Sequence, residues 1–212
     1  RSDLDNMDSR LLSKDQLLTY TILSSYINTL LSSDGLELYD QPLSTTLGIQ
    51  SQLPVLLTEY AFYDKEDVEH YLTLLSDIDR YFEQILAFEK ERSAAGLFMT
   101  DTCADEIISQ AQPYLLSAEH NLMGTEFNTK IDAMEGLNAE EKKAFKEQNQ
   151  QVVTEHFIPA YKALLEGLEA LKGTGTNAEG ICQFPDGKLY YQYLVDSSIG
   201  PTYQTMDDLQ KA

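Results

Sequence analysis

Apolar residues recur three and four positions apart along almost the whole chain, and no stretch alternates apolar with polar residues as a half-buried strand does. That spacing restricts the fold to helices. Leu18, Ile22, Leu23, Tyr26, Ile27, Leu30 and Leu31 form the first stripe, with Ser13 and Gln16 placed as a capping box before it and Asp34-Gly35 after it. Val68, Leu72, Leu75, Ile78, Phe82, Ile85 and Leu86 form the clearest one. Asp64 is its cap, a kink is expected near Ser76-Asp77, and the stretch runs to about Ala95 with Gly96 as its stop. Thr100 or Asp101 caps another helix, which the Pro113 region interrupts. The longest stretch opens on Asn138 with Glu141 and is carried by Phe145, Val152, Val153, Phe157, Tyr161, Leu164, Leu165, Leu168 and Leu171. Pro159 lies inside it and removes the bond to the carbonyl of Glu155, so a kink or a split is expected there, with Gly173 closing the stretch.

Between these stripes, residues 36–57 mix Pro42, Gly48 and Pro54 with apolar residues and Ser/Thr clusters, the composition of an ordered loop that packs down, with a short helix after Pro54. A helix is expected around Leu189 to Asp196, and Thr205 with Asp208 caps a last turn that ends abruptly at Ala212. The architecture that follows is all-α, a multi-helix array with long kinked helices and ordered loops. Residues 1–212 read as a single helical fragment of a larger domain. The opening RSDLDNMDSR has neither an initiator Met nor the apolar run of a signal peptide, which points to a processed N-terminus.

With 42% hydrophobic and 10% aromatic residues a packed core is expected. Fifteen Lys and Arg against 35 Asp and Glu give a formal charge of −20, which removes the electrostatics that nucleic acids and anionic membranes select for. No apolar run is long enough to span a bilayer. Cys103 and Cys182, the only two thiols, make no disulfide framework and match no metal-ligand spacing, and they read as two unpaired small hydrophobes.

The three histidines fail the zinc-peptidase pattern, which needs two His four apart on a helix with Glu beside the first. Tyr71, Asn121 and Phe157 follow His70, His120 and His156, so no His-Glu dipeptide occurs. The inverted pattern fails as well, because Val152 stands where the partner of Glu155-His156 would be. Gly173-Thr174-Gly175 follows a helix and lacks the Gly-Lys-Ser/Thr ending of a phosphate loop, so it reads as a helix stop. Paired acids such as Asp105-Glu106 and Glu140-Glu141 read as solvated faces.

No catalytic or metal-ligating residue emerges. Three residues stand as candidates for a substrate cleft. His156 precedes the kink expected at Pro159, and Tyr190 and Tyr191 belong to the densest aromatic group, after the turn Pro185-Asp186-Gly187. Phenol hydroxyls can steady an oxyanion, although Tyr190 and Tyr193 are also a natural packing pair on a helix.

Three strings in fixed order, GIQSQLPVLLTEYAFYDKEDVEHYLTLLSDIDRYFEQILAFEKERSAAGLFM, FIPAYKALLEGLEALKGTGTN and FPDGKLYYQYLV, resemble the bacterial proteins grouped as domain of unknown function 885. The resemblance runs from about Leu11 to the end. It implies the N-terminal to central portion of a mostly helical fold like that of zinc metallopeptidases of the gluzincin type. Their His-Glu-x-x-His helix and third ligand lie in the C-terminal half, beyond this sequence. The resemblance therefore implies no cofactor in this chain and zinc in that other half. Its partners would be the remainder of its own polypeptide and a peptide substrate, and its location extracytoplasmic, secreted or lipid-anchored. It implies a segment that walls or lids the substrate cleft without catalysing; the alternative is a non-catalytic extracytoplasmic helical binding or scaffold module.

Overall fold

A computed structural model describes residues 2–198. Among them every regular element is helical, as the apolar spacing requires. The elements in order are α1 (Ser2–Asp5), α2 (Lys14–Leu31), α3 (Ile49–Glu59), α4 (Lys65–Ser76), α5 (Ile78–Ala94), α6 (Asp101–Ala111), α7 (Leu122–Ala133), α8 (Ala139–Val152), α9 (Ile158–Leu171) and α10 (Gly187–Ser198). Short 3-10 turns lie at Ser9–Leu11, Glu37–Tyr39, Gln112–Leu115 and Ile181–Gln183, and one π-turn, Val153–Phe157, joins α8 to α9. The capping turn expected at Thr205 and Asp208 lies outside the described residues.

Local signals fix several of the helix starts. Ser13 and Gln16 form a reciprocal capping box, as do Asn138 and Glu141; Asp64 forms a third with Asp67, whose side chain returns to the Asp64 N–H. Thr100, rather than Asp101, caps α6 by accepting from the N–H of Cys103. At the end of α5, Gly96 takes a φ of 73°. The N–H of Leu97 then reaches back to Arg92 O at 2.8 Å, a closure that a residue with a Cβ would strain. The kink expected near Ser76-Asp77 is a full break: α4 ends at Ser76, α5 begins at Ile78, and Asp77 caps both.

The chain forms two compact units. The first comprises the described residues up to Asp40 together with those from Glu179 onward, and the second is Gln41–Ala178. In the first unit α10 packs against α2. Tyr39 is buried, its ring centroid 5.8 Å from that of Tyr190 and 6.3 Å from that of Phe184, while its hydroxyl accepts from the N–H of Asp186 at 2.9 Å. In the second unit α5 packs along α9, α7 packs on α3 and α8, and α6 packs on α9. The Tyr161 ring lies 4.8 Å from that of Phe82 and 4.7 Å from that of Phe157 between centroids, in a core that includes Leu75, Ile107, Met123, Phe127 and Leu164.

The two prolines inside helices depart from the sequence reading in different ways. Residues 49–57, read as loop with a helix only after Pro54, belong to α3, and Pro54 is buried within it. Proline cannot donate to the carbonyl four residues back, that of Gln50. The buried hydroxyl of Tyr161, on α9, donates to that carbonyl at 2.8 Å instead, so the helix runs through. At Pro159 the helix does not split but widens. The N–H of Ile158 bonds Val153 O, five residues back, and the extra residue in the turn absorbs the donor that Pro159 lacks. Helix α7, between Pro113 and Asn138, escaped the sequence reading altogether, though Asn121 caps it through Met123 N–H.

Candidate functional site

The π-turn gives His156 its position. Its wider turn points Val153 and Phe157 into the core and leaves the imidazole half-exposed. There Nδ1 lies 2.9 Å from Asp79 Oδ2, across from the first turn of α5. The hydrogen bond from His156 holds the Asp79 carboxyl below its ordinary value, and the N–H of Arg80 adds to it. A carboxylate on one imidazole nitrogen orients the ring and fixes its tautomer, leaving Nε2 as the atom able to exchange a proton or accept a hydrogen bond.

Tyr190 and Tyr191 lie on α10 in the first unit, whereas His156 belongs to the second. Tyr190 is buried between Tyr39 and Tyr193, at 5.8 and 5.9 Å between centroids. Tyr191, one residue on, is exposed. Of the aromatic pair, Tyr191 is therefore the one with surface for a ligand.

His70 pairs with Glu66 at 3.8 Å on α4, and His120 Nδ1 meets Ser117 Oγ at 3.1 Å. The three histidines thus have separate neighbourhoods. Among the described residues no group of three or more His, Cys, Asp and Glu side chains is placed to hold a metal ion. Cys103 and Cys182 are both free thiols.

Two recesses in the second unit were not legible in the sequence. One is an apolar groove of about 530 Å³ between α3 and the α4–α5 corner, lined by Leu53, Leu57, Tyr60, Leu74, Ile78 and Tyr81, with the Asp77–Arg80 ion pair at its rim. The other, of about 400 Å³, lies between α7 and α8. It is lined by Lys142, Lys143 and Lys146 alongside Asp132, Glu119 and Glu147, so its charges balance. Near the first, Lys130 of α7 donates to the carbonyls of Thr58 and Tyr60, a cation at the C-terminal end of α3. Burial pulls its ammonium below the usual lysine range.

The loop after α9 is built onto the rest of its unit. Gly173 N–H donates to Asp101 Oδ1 at 2.7 Å, and Thr174 Oγ1 accepts from Ser93 Oγ at 2.8 Å. A Cβ on Gly175 would stand 2.2 Å from Met99 O, so only glycine fits that approach. This is packing, as the helix-stop reading of Gly173-Thr174-Gly175 has it.

No curated protein sequence matches the chain. Among solved structures, a candidate lipoprotein from Colwellia psychrerythraea shares the fold at a TM-score of 0.66 and 20% identity. The match covers 73% of this chain and 27% of that one, so the chain spans only about a quarter of that protein's length. No helix among the described residues is long and apolar enough to cross a membrane. The model of a family of bacterial proteins of unknown function, DUF885, matches residues 1–211, and the chain belongs to that family.

Proposed function

We propose that this chain is a single helical fragment, the N-terminal portion of a larger zinc-dependent peptidase, forming a wall or lid of the substrate cleft and not itself catalytic. The observation that carries the reading is the fold match, which spans most of this chain but about a quarter of the solved lipoprotein. It is supported by the resemblance of the family's proteins to zinc peptidases with ligands in a C-terminal half. Among the described residues the side chains do not fit a zinc site, since the three histidines have separate partners. Zinc would therefore be held outside this chain, and no step of hydrolysis runs through its residues. Its own contribution would be surface for a peptide, offered separately by the half-exposed His156 in one unit and by the exposed Tyr191 in the other. The location would be extracytoplasmic, by export or a lipid anchor.

The test is peptide hydrolysis by the full-length gene product, with a chelator and then with added zinc. Hydrolysis that the chelator abolishes and zinc restores is expected. A gene product with no His-Glu-x-x-His, or none of this activity, overturns the peptidase and leaves the non-catalytic binding or scaffold module.

A further inference from the structure

Residues 16–33 carry no charged side chain, in a chain of which 24% is charged. They make up nearly all of α2, and none of the residues of that helix is buried. Leu18, Ile22, Tyr26 and Leu30, four apart, form one ridge along it and are 62%, 59%, 61% and 44% exposed. Leu23 adjoins the ridge and is exposed as well. Tyr20, Ser24 and Ile27 lie on the other side and are half-buried. Beside the ridge runs a parallel row of small residues, Thr21, Ser25 and Thr29. The Thr21 hydroxyl is satisfied by Leu17 O at 2.8 Å, and the short side chains of this row leave a shallow groove beside the ridge. The ridge and Leu23 together leave five large apolar side chains exposed on one helix, the kind of patch that marks an interaction surface.

The chemistry of the face narrows its occupant. A membrane-surface helix sets Lys and Arg beside its apolar face, and residues 16–33 have none. A second copy would bring another −20 charge alongside. A freely diffusing partner uses charges to steer and orient its approach, and the ridge offers none. A partner tethered in the same polypeptide needs no such steering, because the tether itself sets a high effective concentration. The solved lipoprotein that shares this fold has nearly three-quarters of its length outside the shared part.

We infer that the ridge of Leu18, Ile22, Tyr26 and Leu30 is the seam on which an apolar, uncharged helix from the remainder of the same polypeptide packs, ridge into groove. The inference rests on the reading of this chain as part of a larger protein. It is tested by maleimide labelling of Ile22→Cys and Tyr26→Cys, followed by site-resolved mass spectrometry, in the 212-residue chain and in the full-length gene product. Labelling at least tenfold slower in the longer protein is expected. As a second readout, Ile22→Lys should lower the melting temperature of the longer protein and leave that of the 212-residue chain unchanged.

Equal labelling in both proteins overturns the seam. Slowing that grows with the concentration of the 212-residue chain overturns it in favour of a second copy, and slowing that appears only with phospholipid vesicles overturns it in favour of a lipid surface. Protection without peptide hydrolysis keeps the seam and sinks the peptidase; hydrolysis with equal labelling does the reverse.

Discussion

Helices α2 and α9 look alike in the sequence, since each is a long run of Leu, Ile and Tyr at helical spacing, yet they meet opposite environments. In α9, Ala160, Tyr161, Leu164, Leu165 and Leu168 are all buried against α5 and α6, and Gly167 lets α5 come so close that an added Cβ would stand 2.4 Å from Leu86 Cδ2. In α2 no residue is fully buried. An apolar stripe therefore says that a helix is built to be covered, not that this stretch of chain covers it.

The largest effect should come from the charged pair behind the α9 side of that comparison. Glu89 and Arg92 of α5 are both buried, their closest contact is 2.8 Å, and Arg92 also donates to Leu97 O. Glu89→Ala strands a buried guanidinium and should cost about 3 to 5 kcal/mol. Urea denaturation measures it, and a loss under 1 kcal/mol would mean that water reaches the pair.

Next comes the comparison itself, taken as two deletions in the same chain. Leu164→Ala empties a fully buried site and should cost about 2 to 5 kcal/mol, whereas Ile22→Ala removes a side chain already in water and should cost less than about 0.5 kcal/mol. Comparable losses in the 212-residue chain would show that α2 is covered in solution. Tyr161→Phe should fall between these, at about 1 to 3 kcal/mol, because it leaves the Gln50 carbonyl without the donor that Pro54 cannot supply. A Pro54→Ala background should weaken that penalty, since alanine restores the missing N–H. Equal penalties in both backgrounds would break this account of how α3 passes through proline.

These contrasts also mark what the sequence could show. Ser13 with Gln16, Asp64, and Asn138 with Glu141 were legible because a cap is made within four residues. The breaks at Asp77 and Gly96 were legible for the same reason. Pro54 was misread because the group that rescues its helix lies 111 positions away from Gln50, and no local pattern announces it. The outcome at Pro159 was half-legible: a lost hydrogen bond was foreseen, but widening the turn competes closely with bending it. His156 was singled out for its place before that proline, while Asp79, which orients it from 77 positions away, had no signal among so many acids. The grooves beside α3 and α7 are products of packing, and Tyr190 and Tyr191, adjacent and chemically identical, were separated only by which of them faces Tyr39.

The smallest expected effect concerns that long-range pair, which is set on the solvent side of the same α5 and α9 region whose apolar side is closed. Asp79 is held below its ordinary value of 3.8, mainly by the hydrogen bond from His156. A carboxyl with a lowered folded value favours its ionised form in the fold. Its contribution is therefore present above the unfolded value and is lost as pH falls through the folded one. Half-exposed and screened by salt, it should matter far less than any core deletion. Melting curves of Asp79→Asn and the unaltered chain should lie apart by a small constant amount at neutral pH and converge only as pH falls through the lowered folded value of Asp79. Added salt should shrink the gap, which an apolar contact would not do. A gap that persists at low pH, or that salt leaves untouched, would mean that Asp79 acts through packing and not through its contact with His156.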